Sequence, residues 1–420
     1  MMHLPILAWR SAWNRRLTLG LVVMAMALSV MMLLGVERLR HDARQSFSQS
    51  VSGTDLVIGA RTSPVQLMLY AIFRMGEATT NMSWNSVQEI SQHPAVAWAV
   101  PLSLGDSHRG YPVVGTVADY FQYFHYGASR KLVLKEGKVF DGLFDAVVGA
   151  EVAARLGYKV GDTITLNHGM KDVAFAAHDD KPFVVTGILE RTGTPVDRSV
   201  HISLEAMEAI HLNWQGGALM PGLSIPAEYV RKFDLRPKSV TAMLVGLESR
   251  TAVFRVQRFV NQYEAEPLVA VLPGVALDQL WQVVGMVEKT LLLVSVMVVL
   301  VGLGGLMAVI LAGLNERRRE LAILRSVGAQ PIHVFVMLVI EGLGITLLGS
   351  VTGLILLNGV SLVIGPLVEA HYGLRLHLTF LSGEEWPLLG AVVAVGLLAS
   401  LVPGYRAYRL SLADGLTPRV

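Results

Sequence analysis

The segment Leu314-Asn315-Glu316-Arg317-Arg318-Arg319-Glu320-Leu321-Ala322-Ile323-Leu324-Arg325-Ser326-Val327-Gly328-Ala329-Gln330-Pro331 is the densely charged island in the C-terminal third of the chain, and long apolar runs flank it. Its periodicity is helical: Leu321, Leu324 and Val327 recur at three-residue spacing, and Arg318 and Arg325 share a face. Glu316 and Arg317 reach Arg319 and Glu320 respectively at i,i+3. Gly328 supplies a stop, and Pro331 suits the first turn of a new helix. The stretch therefore reads as a short amphipathic helix between two membrane helices. On charge alone, three adjacent arginines mark a cytoplasmic loop. A nucleic-acid patch is disfavoured, because a basic run pinned between two spans has little freedom to follow a phosphate backbone.

Outward from this island the chain is apolar. Of its 420 residues 52% are hydrophobic and 16% charged, and the mean hydropathy is +0.49, values that point to an integral membrane protein. The formal net charge of +2 gives no global bias toward nucleic acid or anionic surfaces. The chain has no cysteine, which excludes thiol catalysis, cysteine-based zinc or iron–sulfur sites and disulfides.

Four transmembrane helices are expected. Residues 1–16, with Trp9, Trp13, Arg10, Arg15 and Arg16, form a cytoplasmic interfacial segment, and the uncharged run 17–36 is long enough to cross a ~30 Å hydrocarbon core. A cleaved signal peptide is the competing reading, with Ala25-Met26-Ala27 as an A-x-A site, but the apolar run continues past it. The second span is placed at 288–314, the charged helix at 315–331, the third span at 332–365, an outer loop at 366–386, the fourth span at 387–405 and a cytoplasmic tail at 406–420. Arg38, Arg40 and Arg44 follow the first span as closely as Arg10, Arg15 and Arg16 precede it, so that span alone does not orient the chain. Arg317, Arg318, Arg319 and Arg325 share one side with Arg406, Arg409 and Arg419, which puts both termini in the cytoplasm. Glu341 falls in the first third of the third span, where an interfacial role is favoured over a proton or ion relay. Gly349 and Gly353 form a GxxxG that permits close helix packing.

Residues 37–287 read as a large folded α+β domain outside the membrane. Asp55 to Gly59 is strand-like, and Ser63 to Gly76 is too short and punctuated to span, so it is a buried helix or a surface that touches membrane or partner, with the buried helix favoured. Trp84 to His93 is helical; Ala95 to Leu102 and Tyr111 to Val117 are strands separated by a turn at Gly105-Asp106. Ala146 to Gly149, Glu151 to Leu156 and Tyr158 to Leu166 follow as strand, helix, turn and strand. Thr251 to Tyr263 is an amphipathic helix, and Leu277, Leu280, Trp281, Val284 and Val287 recur at helical spacing as a stalk into the second span.

Several chemistries are missing from the sequence. No G-x-x-x-x-G-K-[ST] occurs, so the chain carries no phosphate-cradling loop of its own, and neither HExxH nor GxSxG is present. Leu381-Ser382-Gly383-Glu384 mimics part of an ABC signature by chance, and Gly302, Gly304 and Gly305 lie in a span, where tight packing explains them. No metal site is expected outright; the weak candidates are His168, His178, Asp179 and Asp180, with Met170 beside them, whose spacing matches no closed site.

Glu316-Arg317-Arg318-Arg319-Glu320-Leu321-Ala322-Ile323-Leu324-Arg325-Ser326-Val327-Gly328 resembles the coupling-helix motif of the MacB/FtsX-like permeases of ABC transporters. The run from Leu134 to Leu166, with its glycine-aspartate turn, and the segments Phe183 to Leu189 and Val200 to Leu204 resemble the periplasmic core domain of that family. The resemblance implies a non-enzymatic permease subunit of the bacterial inner membrane, its large domain periplasmic. It implies two copies of an ABC ATPase as partners, which would hold the ATP and magnesium, since this chain binds no cofactor. A second permease copy, as homodimer or heterodimer, is implied too, together with a periplasmic adaptor or lipoprotein, the lipid bilayer, and no nucleic acid. Family members act largely by mechanotransmission, in export, lipoprotein or lipid handling, or efflux. Arg317, Arg318, Arg319 and Arg325 are expected to contact the ATPase, with Leu321, Ile323 and Leu324 in its apolar groove. The alternative is an FtsX-type regulatory scaffold that activates a periplasmic cell-wall hydrolase without transport.

Overall fold

The computed structural model describes residues 16–50, 52–76, 78–127, 129–169, 180–215, 218–219, 225–316, 326, 328–372 and 381–409; at 46–49, 214–215, 218–219, 283, 315–316 and 369–372 it describes the backbone alone. In chain order the principal helices are α1 (Arg16–Gln49), α2 (Pro64–Ala71), α3 (Trp84–Ser91), α4 (Ala150–Leu156), α5 (Leu204–His211), α6 (Val253–Asn261), α7 (Pro273–Glu316), α8 (Pro331–Tyr372) and α9 (Glu385–Arg409). Four of them, α1, α7, α8 and α9, are long and apolar enough to cross a membrane. The chain divides into two compact units, one holding these long helices and the other the inserted α+β domain.

Within the helical unit, Met26, Val30 and Leu34 of α1, Leu303 and Leu306 of α7, and Leu338, Ile345 and Leu354 of α8 are buried in one cluster. Hydrocarbon tails are as apolar as these side chains, so close approach through small residues has to supply much of the association. A Cβ on Gly353 would lie 2.6 Å from the Ala27 carbonyl oxygen, one on Gly349 2.6 Å from Met26 Cγ, and one on Gly302 2.9 Å from Ser29 Oγ. Gly342 faces Ser400, and Gly396 faces Thr346, in the same way between α8 and α9. Gly304 and Gly305 meet nothing within 4 Å, so tight packing inside this chain accounts for Gly302 and not for its two neighbours.

The outer loop is shorter than the expected 366–386, because α8 continues through Pro366 to Tyr372 and α9 already begins at Glu385. A proline removes one helical hydrogen bond, and a membrane helix tolerates that loss when its adjoining turns stay paired. The segment read as a stalk is the first part of α7, which runs unbroken from Pro273 to Glu316.

The inserted domain is built on one sheet of eleven strands: β1 (Leu56–Ala60), β2 (Val96–His108), β3 (Tyr111–Thr116), β4 (Leu134–Gly137), β5 (Asp145–Val148), β6 (Thr163–Ile164), β7 (Asn167–His168), β8 (Phe183–Leu189), β9 (Val200–Ser203), β10 (Ala242–Leu247) and β11 (Leu268–Val271). The order is β11-β1-β10-β2-β3-β9-β5-β8-β4, with β7 added on β2 and β6 on β8. Pairing is antiparallel except for β3 with β9 and β5 with β8, which are parallel. All five residues of β1 are buried, because both faces of the sheet are covered there. Val57 points into a cluster with Leu67, Met68 and Tyr70 from α2, whereas Leu56 and Ile58 point into another with Val87 and Ile90 of α3 and Val256 and Val260 of α6. Each such fully buried side chain contributes roughly 1.5–3 kcal/mol. Tyr70, Ile72 and Phe73 are buried as well, so the apolar stretch after Ser63 is a core element and not a membrane-touching surface.

Candidate functional site

Strand β2 serves two neighbours. Its first half, from Val96 to Leu102, pairs with β10, and its second half, from Ser103 to His108, pairs with β3. Between Leu104 and Ser107 the register against β3 slips, and Gly105 takes a φ of +146° that a side chain would resist. Gly105-Asp106 is therefore a β-bulge inside a 13-residue strand and not the expected turn. The reversal comes later, at Arg109 and Gly110, both in the left-handed region. Both features use glycine at positive φ, so the dipeptide alone could not distinguish them.

A bulge adds an unpaired residue and re-aims its side chain. Here Asp106 is left only 1% exposed, opposite His168 of β7. The His168 Nδ1 lies 2.9 Å from Asp106 Oδ1. β7 is held in place by Ser107 Oγ donating to the Gly169 carbonyl at 2.6 Å and by Gly169 N–H donating to the Gly105 carbonyl at 2.9 Å.

The third member comes from α5. Ser203 caps this helix by accepting the Ala206 N–H at 3.0 Å. The helix then delivers His211 from its last turn. His211 Nδ1–H donates to the Met207 carbonyl at 2.8 Å, so Nε2 faces inward, 3.0 Å from His168 Nδ1 and 3.4 Å from Asp106 Oδ1. Burial pushes the His211 imidazolium down, but the hydrogen bond and charge of Asp106, the Met207 carbonyl and Glu208 push it up and prevail.

A cavity of about 250 Å³ adjoins the cluster and shares Asp106 and His168 with it; Tyr70, Arg74, Asn81 and Gly169 also line it. Arg74 has φ +58° and its guanidinium donates to the Ala71 carbonyl. Burial pulls that guanidinium below its ordinary value, and Tyr120 offsets part of the effect.

Of the weak metal candidates, His168 belongs to this cluster and Asp180 does not: Asp180 Oδ2 takes the Nζ of the fully buried Lys181 at 2.6 Å. Met170, His178 and Asp179 lie outside the described residues. Asp106 and His211 were not singled out in the sequence, and their distance from His168 along the chain explains why: only the bulge and the end of α5 bring them together. In the charged island, Glu316 is the last residue of α7 and Gly328 has φ +102°. Arg317, Arg318, Arg319, Glu320, Leu321, Ile323, Leu324 and Arg325 lie outside the described residues.

Two family models match the chain. The MacB-like periplasmic core domain matches residues 17–259, and the FtsX-like permease C-terminal matches residues 292–412. The macrolide export ATP-binding/permease proteins MacB of Burkholderia thailandensis and Burkholderia pseudomallei are each 28% identical over 141 residues, covering 32% of this chain and 21% of the relative. The match thus spans about a fifth of those relatives' length. Among solved structures, the periplasmic region of MacB from Actinobacillus actinomycetemcomitans aligns at 10% identity over 56% of this chain and 94% of that one, with a TM-score of 0.33. The extracellular domain of the noncanonic ABC-type transporter YknZ from Gram-positive bacteria aligns at 12% identity over 51% and 98%, with a TM-score of 0.29. The core-domain model alone covers more than half of the chain and the permease model takes in the second part of α7 with α8 and α9, so the chain belongs to the MacB/FtsX-like family of ABC transporter permeases.

Proposed function

We propose that this chain is the membrane subunit of an ABC transporter complex, and that it carries force from ATP hydrolysis in a separate ATPase subunit to its periplasmic domain. The observation that carries this reading is α7. It starts directly after β11 and continues without a break to Glu316, the first charged residue of the island. Its 44 residues make a rod of about 65 Å, roughly twice a ~30 Å hydrocarbon core. In this reading a displacement at the island's end enters α7, the helix that follows β11.

In this reading Arg317, Arg318, Arg319 and Arg325 meet acidic or carbonyl groups of the ATPase, Leu321, Ile323 and Leu324 fill its apolar groove, and Glu316 and Glu320 pair with the arginines between them. The ATPase holds ATP and magnesium. Two copies of it serve two permease chains, and both termini lie in the cytoplasm of a bacterium whose inner membrane holds the complex.

The test is charge reversal. Arg318→Glu combined with Arg325→Glu in the full chain is expected to abolish copurification with the ATPase, or the stimulation of its hydrolysis. Unchanged coupling in the double variant would overturn the assignment.

A further inference from the structure

We propose that Asp106, His168 and His211 form a site for a divalent first-row transition-metal ion of the zinc class in the inserted domain, independent of the ATPase-coupling helix. The three atoms that converge are one carboxylate oxygen and two imidazole nitrogens, separated by 2.9, 3.0 and 3.4 Å. Donor atoms about 2.1 Å from a shared ion stand about 3.0 Å apart at octahedral angles and about 3.4 Å apart at tetrahedral ones. The triangle already has the dimensions of one face of a coordination polyhedron.

The second shell agrees. A ligating histidine commonly gives its other N–H to a carbonyl, which fixes the tautomer and turns the remaining lone pair toward the metal. His211 does this through Met207. Ser107 and Gly169 tie the bulge to β7, so the Asp106 and His168 ligands are held by two crossing strands instead of a loose loop. The donor set is nitrogen and oxygen with no sulfur, which suits zinc, nickel, iron or copper better than calcium or magnesium.

Three protein ligands leave a coordination position open. The adjoining cavity provides the approach to it, and Arg74 on its wall would suit an anionic group bound to the ion.

The experiment uses the full-length protein in detergent, freed of any affinity tag, stripped with a chelator and titrated with Zn²⁺ alone. One equivalent per chain is expected. Asp106→Asn, which keeps the shape, and His211→Ala should each weaken binding by more than about 100-fold, beyond the loss typical of an outer-shell change. His93→Gln, outside the cluster, should leave it unchanged. Co²⁺ loaded into the unmodified protein should show visible d–d absorption of a low-coordinate nitrogen and oxygen site, and Asp106→Asn should lose it. That spectrum decides the matter even if His211→Ala fails to fold. Failure to take up a stoichiometric ion, or uptake unchanged in Asp106→Asn and His211→Ala, would overturn the site.

Discussion

Arg38 of α1 and Glu385 at the start of α9 form a two-pronged ion pair, Nε to Oε1 at 2.8 Å and Nη2 to Oε2 at 3.1 Å, with both side chains almost fully buried. Arg38 also donates from Nη1 to Asn358 Oδ1 of α8 at 2.9 Å, and Glu385 accepts the Ser382 N–H at 2.9 Å. One guanidinium thus ties the first, third and fourth long helices together. The geometry is the planar fork that arginine supplies and lysine cannot.

Breaking this pair on one side strands the other charge. Glu385→Ala should therefore lower the stability of the detergent-solubilised protein by roughly 3–5 kcal/mol. Arg38→Lys should cost part of that, because an ammonium cannot hold both carboxylate oxygens and Asn358 at once. The double variant Arg38→Met, Glu385→Leu should be more stable than Glu385→Ala alone. Thermal unfolding of the four proteins checks this, and a double variant no better than the single one would show that the pair does not act as a coupled unit.

The two glycines of the GxxxG differ in what surrounds them. A methyl group on Gly353 would meet the Ala27 carbonyl at 2.6 Å and Val30 Cβ at 3.0 Å, while one on Gly349 would meet Met26 Cγ and Cβ. The Ala27 backbone cannot move aside, and neither can Met26 Cβ, which its own backbone fixes. Gly353→Ala and Gly349→Ala should therefore each destabilise the protein by about 1–3 kcal/mol. An unchanged melting temperature in either variant would contradict the close approach at that glycine.

The sequence made the long elements legible, and the reasons are physical. Uncharged runs of twenty residues have few alternatives to a membrane helix, and the succession Ala146 to Gly149, then Glu151 to Leu156, carries its own boundary in Gly149, where a Cβ would run into the carbonyls of Val196 and Asp197. What stayed hidden depends on strand registration. Gly105-Asp106 looks the same whether it turns the chain or bulges a strand, and only the pairing of β2 with both β10 and β3 decides it. His211 reads in sequence as the polar end of an amphipathic helix. Its approach to His168 and Asp106 follows from where α5 is laid on the sheet, which no local pattern encodes.

Asp180 and Lys181 separate a structural role from a ligating one. Lys181 is fully buried, and its ammonium is held by the partly exposed Asp180 carboxylate at 2.6 Å. Asp180→Ala removes the counter-charge, and a loss of about 3 kcal/mol in folding stability is expected. Zinc uptake measured on the folded protein should stay the same, because Asp180 is outside the Asp106, His168 and His211 cluster. A fall in metal affinity without a fall in stability would place Asp180 among the ligands after all.

His201 gives the inserted domain an acid-sensitive element. It lies on β9 with no exposed surface, stacks on Tyr120 at a centroid distance of 5.4 Å and has Nδ1 3.3 Å from the Val147 carbonyl. Burial, and after it the Arg74 charge, lower its pKa from 6.5 to about 3. The folded state therefore binds fewer protons than the unfolded chain between these two values, and stability falls as the pH drops through that window. At most about 1.4 kcal/mol is lost per pH unit, or roughly 2–3 kcal/mol between pH 6.5 and 4.5. Asp197, whose carboxyl is pushed up by burial against the pull of the Thr192 and Gly193 N–H groups, acts in the opposite direction near the lower end of that range. His201→Phe keeps the aromatic stack and removes the titration, so its unfolding free energy should vary less than that of the unmodified protein between pH 6.5 and 4.5. Parallel pH profiles for the two proteins would mean that protonation of His201 does not set the acid limit of the domain.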